Sequence, residues 1–79
     1  MSHTPHELSA EFPDFVEQMT ALRASNAHFA KLADRYHSIN RSVHRAETNV
    51  EPTHDMHMIE MRRERMEIKD EIYQMLKSA

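Results

Sequence analysis

The clearest pattern in this chain is a seven-residue spacing of apolar side chains through its first fifty residues. The positions that follow it without a gap are Leu8, Phe15, Leu22, Phe29, Tyr36, Val43 and Val50. Side chains seven residues apart lie on nearly the same side of an α-helix, with a drift of about 20° per step. An apolar stripe of this kind has to be covered by another helix. The pattern therefore predicts an all-α protein built on helix pairing.

Capping and proline signals divide the N-terminal half into a short helix and a long one. Residues 4–7, Thr-Pro-His-Glu, have the form of a capping box with proline at the first helical position, which predicts a short helix over 5–11. Pro13 cannot donate a helical hydrogen bond, so we expect a kink there and a long helix 1 over 13–49. Within this helix, Asn26 interrupts the apolar pattern, and we interpret it as a shift of the stripe.

A second group of signals predicts a turn and a second helix. Pro52 disfavours helix at the residue before it, and Thr53 is a suitable N-cap for a helix that follows. We therefore expect a turn over 50–53 and helix 2 over 54–77. The prediction is a single domain over 1–79, an antiparallel, coiled-coil-like helical hairpin with a short, kinked N-terminal helix.

Folding the chain at its predicted turn indicates which apolar residues of the two helices face each other. The predicted facing pairs are Val43 with Ile59, Tyr36 with Met66, and Phe29 with Tyr73. The whole predicted hairpin core consists of Phe29, Leu32, Tyr36, Ile39, Val43, Ile59, Met66, Ile68, Ile72 and Tyr73.

In this alignment helix 2 is shorter than helix 1, and roughly the first 22 residues overhang. The overhang carries five apolar residues without a partner in the chain: Phe12, Phe15, Val16, Met19 and Leu22. Burying a large apolar side chain is worth about 1.5–3 kcal/mol, and a bare patch of such residues promotes aggregation. The sequence therefore predicts a homo-oligomer, a dimer or a tetramer, with these five residues at the oligomer interface.

Composition narrows the function classes further. The chain has no glycine and no cysteine, which disfavours phosphate-binding loops, thiolate zinc sites and disulfides. No apolar run approaches the roughly 20 residues of a membrane span, and the N-terminus lacks the pattern of a secretory signal. No nucleophile, base and acid stand at a recognisable spacing. We therefore expect a cytoplasmic protein that is not an enzyme, has no cofactor and does not enter a membrane.

Histidine is frequent, and three of the seven histidines fall near the predicted hairpin tip: His44, His54 and His57. Imidazoles beside carboxylates are ligands for zinc, nickel or copper. The alternative is that these are ordinary polar residues of an exposed turn. The sequence favours this alternative, because no HExxH spacing and no thiolate accompany them. We expect no metal, and we keep the three histidines as candidates.

Arginine is concentrated around the middle of the predicted hairpin, at Arg35, Arg41, Arg45, Arg62, Arg63 and Arg65. One interpretation is a phosphate-binding belt, which makes a nucleic-acid-binding accessory protein the alternative function. The other is a set of solvated helix faces, in which the arginines pair with nearby glutamates. The net charge of −3 favours solvated faces and disfavours nucleic acid as a partner.

Several segments together carry a family resemblance: His6-Glu7-Leu8, Glu11-Phe12-Pro13, Asn26-Ala27-His28-Phe29, Tyr36, residues 47–55 and residues 65–73. In these segments the chain resembles the YdcH family, a group of short bacterial proteins of unknown function. The resemblance implies a helical hairpin in a bacterial cytoplasm, without catalytic residues or a cofactor. The sequence therefore predicts a non-catalytic helical interaction protein that self-associates and binds an unidentified protein partner.

Overall fold

Every regular element in the described part of the chain is a helix. The computed structural model describes residues 6–48 and 55–78. Its elements are α1 (Leu8–Glu11), a 3-10 turn (Pro13–Phe15), α2 (Val16–Ser25), α3 (Ala27–Glu47) and α4 (Asp55–Ser78). The predicted all-α class is therefore confirmed. The predicted turn over 50–53, together with Val50 and His54, lies outside the described residues.

The structure corrects the prediction of one long helix over 13–49. The chain is interrupted at Asn26, whose backbone is extended, with φ −130° and ψ 106°. The Asn26 side-chain oxygen accepts a hydrogen bond from the backbone N–H of Phe29 at 3.0 Å. This bond is that of an N-cap, so Asn26 ends α2 and begins α3. The residue marks a change of chain direction and not only a shift of the apolar stripe.

The core lies mainly where α3 packs against α4. Its larger cluster of buried residues consists of Leu8, Met19, Phe29, Leu32, Ala33, Tyr36, Ile68, Ile72 and Leu76. A smaller cluster consists of Val43, Ala46 and Met61. Arg62 near the start of α4 contacts Glu47 at the end of α3, whereas Glu71 lies 4.0 Å from His28 at the start of α3. The two helices therefore run in opposite directions.

The structure also corrects the prediction of which side of α4 faces α3. Ile59, Met66 and Tyr73, all predicted in the hairpin core, are 52%, 57% and 39% exposed. Of the other predicted core residues, Ile39 is partly buried, and those that are buried are Phe29, Leu32, Tyr36, Val43, Ile68 and Ile72.

Ile59, Met66 and Tyr73 stay exposed because α4 carries apolar residues on two sides, and α3 covers only one of these sides. The covered residues are Met61, Ile68, Ile72 and Leu76. Their spacing of seven, four and four places them within one narrow arc of the helix. The predicted core omitted Met61 and Leu76, although this spacing was a signal for both. The predicted facing pairs of Ile59, Met66 and Tyr73 are therefore wrong.

The N-terminal segment does not overhang. The predicted oligomer interface was based on such an overhang, and this part of the prediction is wrong. Residues 6–25, called the N-terminal arm below, fold back onto α3 and α4. Leu8 and Met19 are buried in the larger cluster, and Phe12, Phe15 and Leu22 pack against that cluster. Val16 is 43% exposed. Because the break at Asn26 turns α2 back, the chain itself covers most of the apolar residues for which a second copy seemed necessary.

Candidate interaction surface

Hydrogen bonds fasten the N-terminal arm at both ends. They run from Tyr36 Oη to the His6 carbonyl at 2.6 Å, from Lys69 Nζ to Glu11 Oε1 at 2.9 Å, and from Gln18 Nε2 to the Leu76 carbonyl at 2.6 Å. Burial raises the pKa of Tyr36 to about 12, so its hydroxyl keeps the proton that it donates. The arm is thus held by polar contacts as well as by apolar packing.

We expect the contact between the arm and α4 to weaken in acid. The hydrogen bond from Lys69 holds the pKa of the Glu11 carboxyl below its ordinary value, and His6 adds to this while partial burial opposes it. A lowered pKa stabilises the fold above the unfolded-state pKa, and this stabilisation is lost as pH falls through the folded-state pKa. Between about pH 5 and pH 3, the thermal midpoint of the wild type should therefore fall further than that of Glu11→Gln.

The matched control for this prediction is Glu17→Gln, because Glu17 is an exposed carboxylate on the same arm that makes no hydrogen bond or ion pair with the described residues of α4. This variant should follow the wild-type pH dependence. If Glu11→Gln and Glu17→Gln lose the same number of degrees between these pH values, the Lys69 contact does not stabilise the folded arm.

A second side of α4 carries large apolar residues that α3 does not cover. Ile59, Met66 and Tyr73 stand seven residues apart and are all exposed. They are called the α4 stripe below. A seven-residue spacing places them on nearly one side of the helix, which is rotated by roughly 100–180° about the helix axis from the buried Ile68 and Ile72. The stripe is therefore a linear apolar surface on a helix that α3 supports from behind.

The N-terminal arm supports one end of the α4 stripe. The rings of Phe12 and Tyr73 are stacked, with centroids 5.7 Å apart and an interplanar angle of 4°. Phe15 meets the same Tyr73 ring edge-on at 6.4 Å, and Lys77 Nζ lies 5.4 Å from its centroid. Aromatic pairs of this geometry add about 0.5–1.5 kcal/mol beyond area burial. The exposed part of Tyr73 is thus held in a fixed position.

The charges beside the α4 stripe differ between its two flanks. On one flank Arg62 contacts Glu47 at 2.9 Å, and Lys69 is bound to Glu11. On the other flank Glu60 and Glu67 are exposed, and neither has an ion pair within the described ranges. One flank is therefore neutralised by contacts within the chain, whereas the other carries the exposed carboxylates of Glu60, Glu67 and Asp70 together with the exposed Arg63.

The arginines of the predicted belt differ in their contacts. Most of them are held by acceptors of the chain: Arg35 by Glu64, Arg62 by Glu47, Arg65 by the side-chain oxygen of Asn40, and Arg45 by Ser42. Arg41 and Arg63 are exposed. The carboxylates of Glu64 and Glu47 lower the positive potential at Arg35 and Arg62, which a phosphate backbone would require. For these two arginines the contacts agree with the solvated-face interpretation, whereas the amide of Asn40 and the hydroxyl of Ser42 leave the charges of Arg65 and Arg45 in place.

The histidine candidates for a metal site are only partly described. His44 lies near the end of α3 and His57 lies in the first turn of α4, whereas His54 is outside the described residues. Within 6–48 and 55–78, no three histidine, aspartate or glutamate side chains are grouped so that they could hold a metal ion. The expected absence of a metal site that includes His54 stays a prediction.

The fold and the α4 stripe define an all-helical protein with an exposed apolar surface. The model of a family described as a protein of unknown function (DUF465) matches residues 29–76, so the chain belongs to this family. The resemblance to the YdcH family, found in the sequence, is consistent with this membership and is confirmed by it. No curated protein and no solved structure matches the chain. Among the described helices, none has the length and apolar character needed to cross a membrane.

Proposed function

We propose that this chain is a small, non-catalytic interaction protein of the bacterial cytoplasm, a helical hairpin that binds another polypeptide through the α4 stripe. The observation that carries the proposal is the exposure of Ile59, Met66 and Tyr73 along one side of α4. Burial of a large apolar side chain is worth about 1.5–3 kcal/mol, so a partner that covers all three gains substantial free energy. The whole stripe lies within the part of the chain that the family model matches.

The packing of α4 supports this use of the stripe. Ile68 and Ile72 anchor a different side of the helix in the core, and the arm holds Tyr73 from the side. A surface that is already ordered loses little conformational entropy when a partner binds. Met66, in the middle of the stripe, is a flexible and polarisable side chain that adapts to the shape of different partners.

We also propose that copies of the chain associate with each other, but through a different surface from the one that the sequence predicted. Phe12, Phe15, Met19 and Leu22, four of the residues expected at an oligomer interface, pack within the chain. Val16 is the exposed member of that group. An assembly of copies in which the arm stays in place would therefore use the α4 stripe.

The proposal is tested by a substitution that introduces a charge in the centre of the α4 stripe. Met66→Glu should leave the fold intact, because the side chain is exposed, but it should weaken association because its carboxylate would be desolvated in the interface. Association is measured in two ways: self-association by light scattering, and binding of a labelled, uncharged amphipathic helix of leucine and glutamine by fluorescence anisotropy. We expect Met66→Glu to weaken the association of the wild type by about tenfold or more.

The matched control is Val16→Glu, which places the same charge at an exposed apolar residue of the arm, away from the stripe. This variant should associate as the wild type does. If the wild type binds neither itself nor the peptide, or if both variants lose association equally, the α4 stripe is not the interaction surface. Circular dichroism of both variants checks that the helices are retained.

A further inference from the structure

We infer that two copies of this chain exchange their N-terminal arms, by opening at Asn26 so that α2 and α3 join into one continuous helix. In the exchanged dimer the arm of each copy lies on α3 and α4 of the other. The residues that hold the arm are called the arm seat below: Asp34, Tyr36, His37, Lys69, Tyr73 and Leu76. The inference goes beyond the proposed function, because it concerns the arm seat and not binding at the α4 stripe.

The connection between α2 and α3 is a single residue. α2 ends at Ser25 and α3 begins at Ala27, with the extended Asn26 between them. The N–H of Asn26 donates to the Leu22 carbonyl at 2.7 Å, and the Asn26 carbonyl accepts from the N–H of Ala30 at 3.1 Å. Both bonds join residues four apart, as in a continuous α-helix. Rotation of the Asn26 backbone to helical angles would therefore join α2 to α3 and keep both bonds.

The sequence around Asn26 suits a continuous helix. Residues 14–51 contain neither glycine nor proline, the two residues that interrupt helices most strongly. Leu22 and Phe29 carry the seven-residue spacing of apolar side chains across the break. In the closed chain they lie on two separate helices, whereas a continuous helix places them on nearly the same side. The spacing across the break thus fits the open form, in which both residues belong to one stripe.

Opening at Asn26 exposes two apolar surfaces that fit each other. On the arm, Leu8 and Met19 lose the cluster in which they are buried, and the Phe12 ring leaves the Tyr73 ring on which it is stacked. Exposed apolar surface of this kind is unfavourable in water. The arm of a second copy carries the same side chains, so it restores every contact with the arm seat. Exchange of an identical element is a route to a dimer that needs no further complementary surface.

The contacts of the arm cannot form within one open chain. Arg23 Nη2 lies 2.5 Å from Asp34 Oδ1, although the two residues are eleven positions apart. On one continuous helix these positions are separated by about 16 Å along the axis. The Arg23–Asp34 contact therefore lies within the chain in the closed form and between chains in the exchanged dimer.

The hinge and the protein concentration decide between the two forms, because the contacts of the arm with its seat are the same in both. The hydrogen bond from the Phe29 N–H to the Asn26 side chain favours the closed form. The continuous helix instead joins the N–H groups of residues 27–29 to the carbonyls of residues 23–25. Because two copies combine, the exchanged form should increase with protein concentration.

Substitutions at the hinge should shift this balance in opposite directions. Asn26→Ala removes the capping oxygen and favours helix, so it should lower the dissociation constant of the dimer about tenfold or more, since both hinges of the dimer change. Asn26→Asp is the matched control, because aspartate caps a helix as well as asparagine does, and it should associate as the wild type does. Light scattering at a series of concentrations measures the dissociation constants.

Ala27→Pro should hold the chain closed. Ala27 is exposed and occupies the first position of α3, where proline is well tolerated, and a proline there keeps residue 26 extended. In the interior of a continuous helix the same proline breaks the helix. We therefore expect Ala27→Pro to stay monomeric at concentrations at which Asn26→Ala is a dimer. Circular dichroism checks that both variants keep their helices.

Cross-linking shows which copy supplies the arm. A zero-length carbodiimide reagent joins the Lys69 amine to the Glu11 carboxylate, whose atoms lie 2.9 Å apart. Isotope-labelled and unlabelled Asn26→Ala chains are mixed, unfolded and refolded together before the reaction. Mass spectrometry of the digest should then find Glu11–Lys69 cross-links between a labelled and an unlabelled peptide. The same mixture with Glu11→Gln added should lack this cross-linked product.

The outcomes separate arm exchange from association through the α4 stripe. Cross-links that join labelled only to labelled peptides overturn the inference, as does an Asn26→Ala chain that stays monomeric up to about 1 mM. A dimer that Met66→Glu dissociates, with all Glu11–Lys69 cross-links within one chain, overturns arm exchange and supports the proposed function. Mixed cross-links that persist in Met66→Glu support arm exchange independently of the stripe. If Ala27→Pro fails to fold, the comparison of Asn26→Ala with Asn26→Asp still decides.

Discussion

Ile72→Ala is expected to lower the free energy of unfolding by about 2–5 kcal/mol, the range for an isoleucine truncated in a packed core. Ile72 is fully buried in the larger core cluster, where it joins α4 to α3. In a domain of this size the whole core supplies only about 3–5 kcal/mol, so a large part of the molecules should unfold near room temperature. Chemical denaturation followed by circular dichroism measures the loss.

The matched control for Ile72→Ala is Met66→Ala on the same helix. Met66 is 57% exposed, so its truncation leaves no cavity and should change the free energy of unfolding by about 0.5 kcal/mol or less. The two variants remove apolar side chains that lie about 120° apart around α4, one buried and one exposed. Equal destabilisation by both would show that α3 does not discriminate between the two sides.

The second large effect is expected at a polar contact between α3 and α4. Asn40 is 1% exposed, and its side-chain oxygen accepts a hydrogen bond from Arg65 at 3.0 Å. Arg65→Ala removes this donor from a buried acceptor, which costs about 1–3 kcal/mol in comparable cases. We expect a loss of this size in the free energy of unfolding, again measured by chemical denaturation.

Replacing both partners tests whether the loss comes from the hydrogen bond itself. In the double variant Asn40→Leu with Arg65→Leu, the buried acceptor and its donor are removed together, so the loss in the free energy of unfolding should be smaller than the sum of the losses in the two single variants. Because the two side chains are in contact, the effects of the single changes should not add in the double variant. Strictly additive losses for Asn40→Leu and Arg65→Leu would show that the two side chains act independently.

The sequence predicted approximately which residues of α3 and α4 lie side by side along the helix axes. Folding at residue 51 places Arg35 opposite residue 67 and Asn40 opposite residue 62, whereas the structure joins them to Glu64 and Arg65. Each partner lies within one helical turn of the predicted one. This agreement has a local cause, since helix length and the place of Pro52 limit how far one helix can slide along the other.

The α4 stripe illustrates what the sequence left open. Ile59, Met66 and Tyr73 have the same spacing as a coiled-coil seam, so they were predicted to face α3. The competing row with Ile68 and Ile72 is equally apolar, and its spacing fits a helix just as well. A choice between two rows of similar hydrophobicity depends on which row packs better against α3 as a whole. Residue spacing within α4 contains no information on that packing.

By itself, the sequence determined the helical class, the approximate extent of α4, which was predicted over 54–77 and runs over Asp55–Ser78, and the resemblance to the family. The reason is that periodicity, capping and proline effects act between residues within about one or two helical turns. Only the tertiary structure decided that Asn26 turns the arm back onto Tyr36, Lys69 and Leu76. It also decided that Ile59, Met66 and Tyr73 stay exposed. Both outcomes depend on contacts between residues far apart in the chain, where the fit of whole surfaces outweighs local preference.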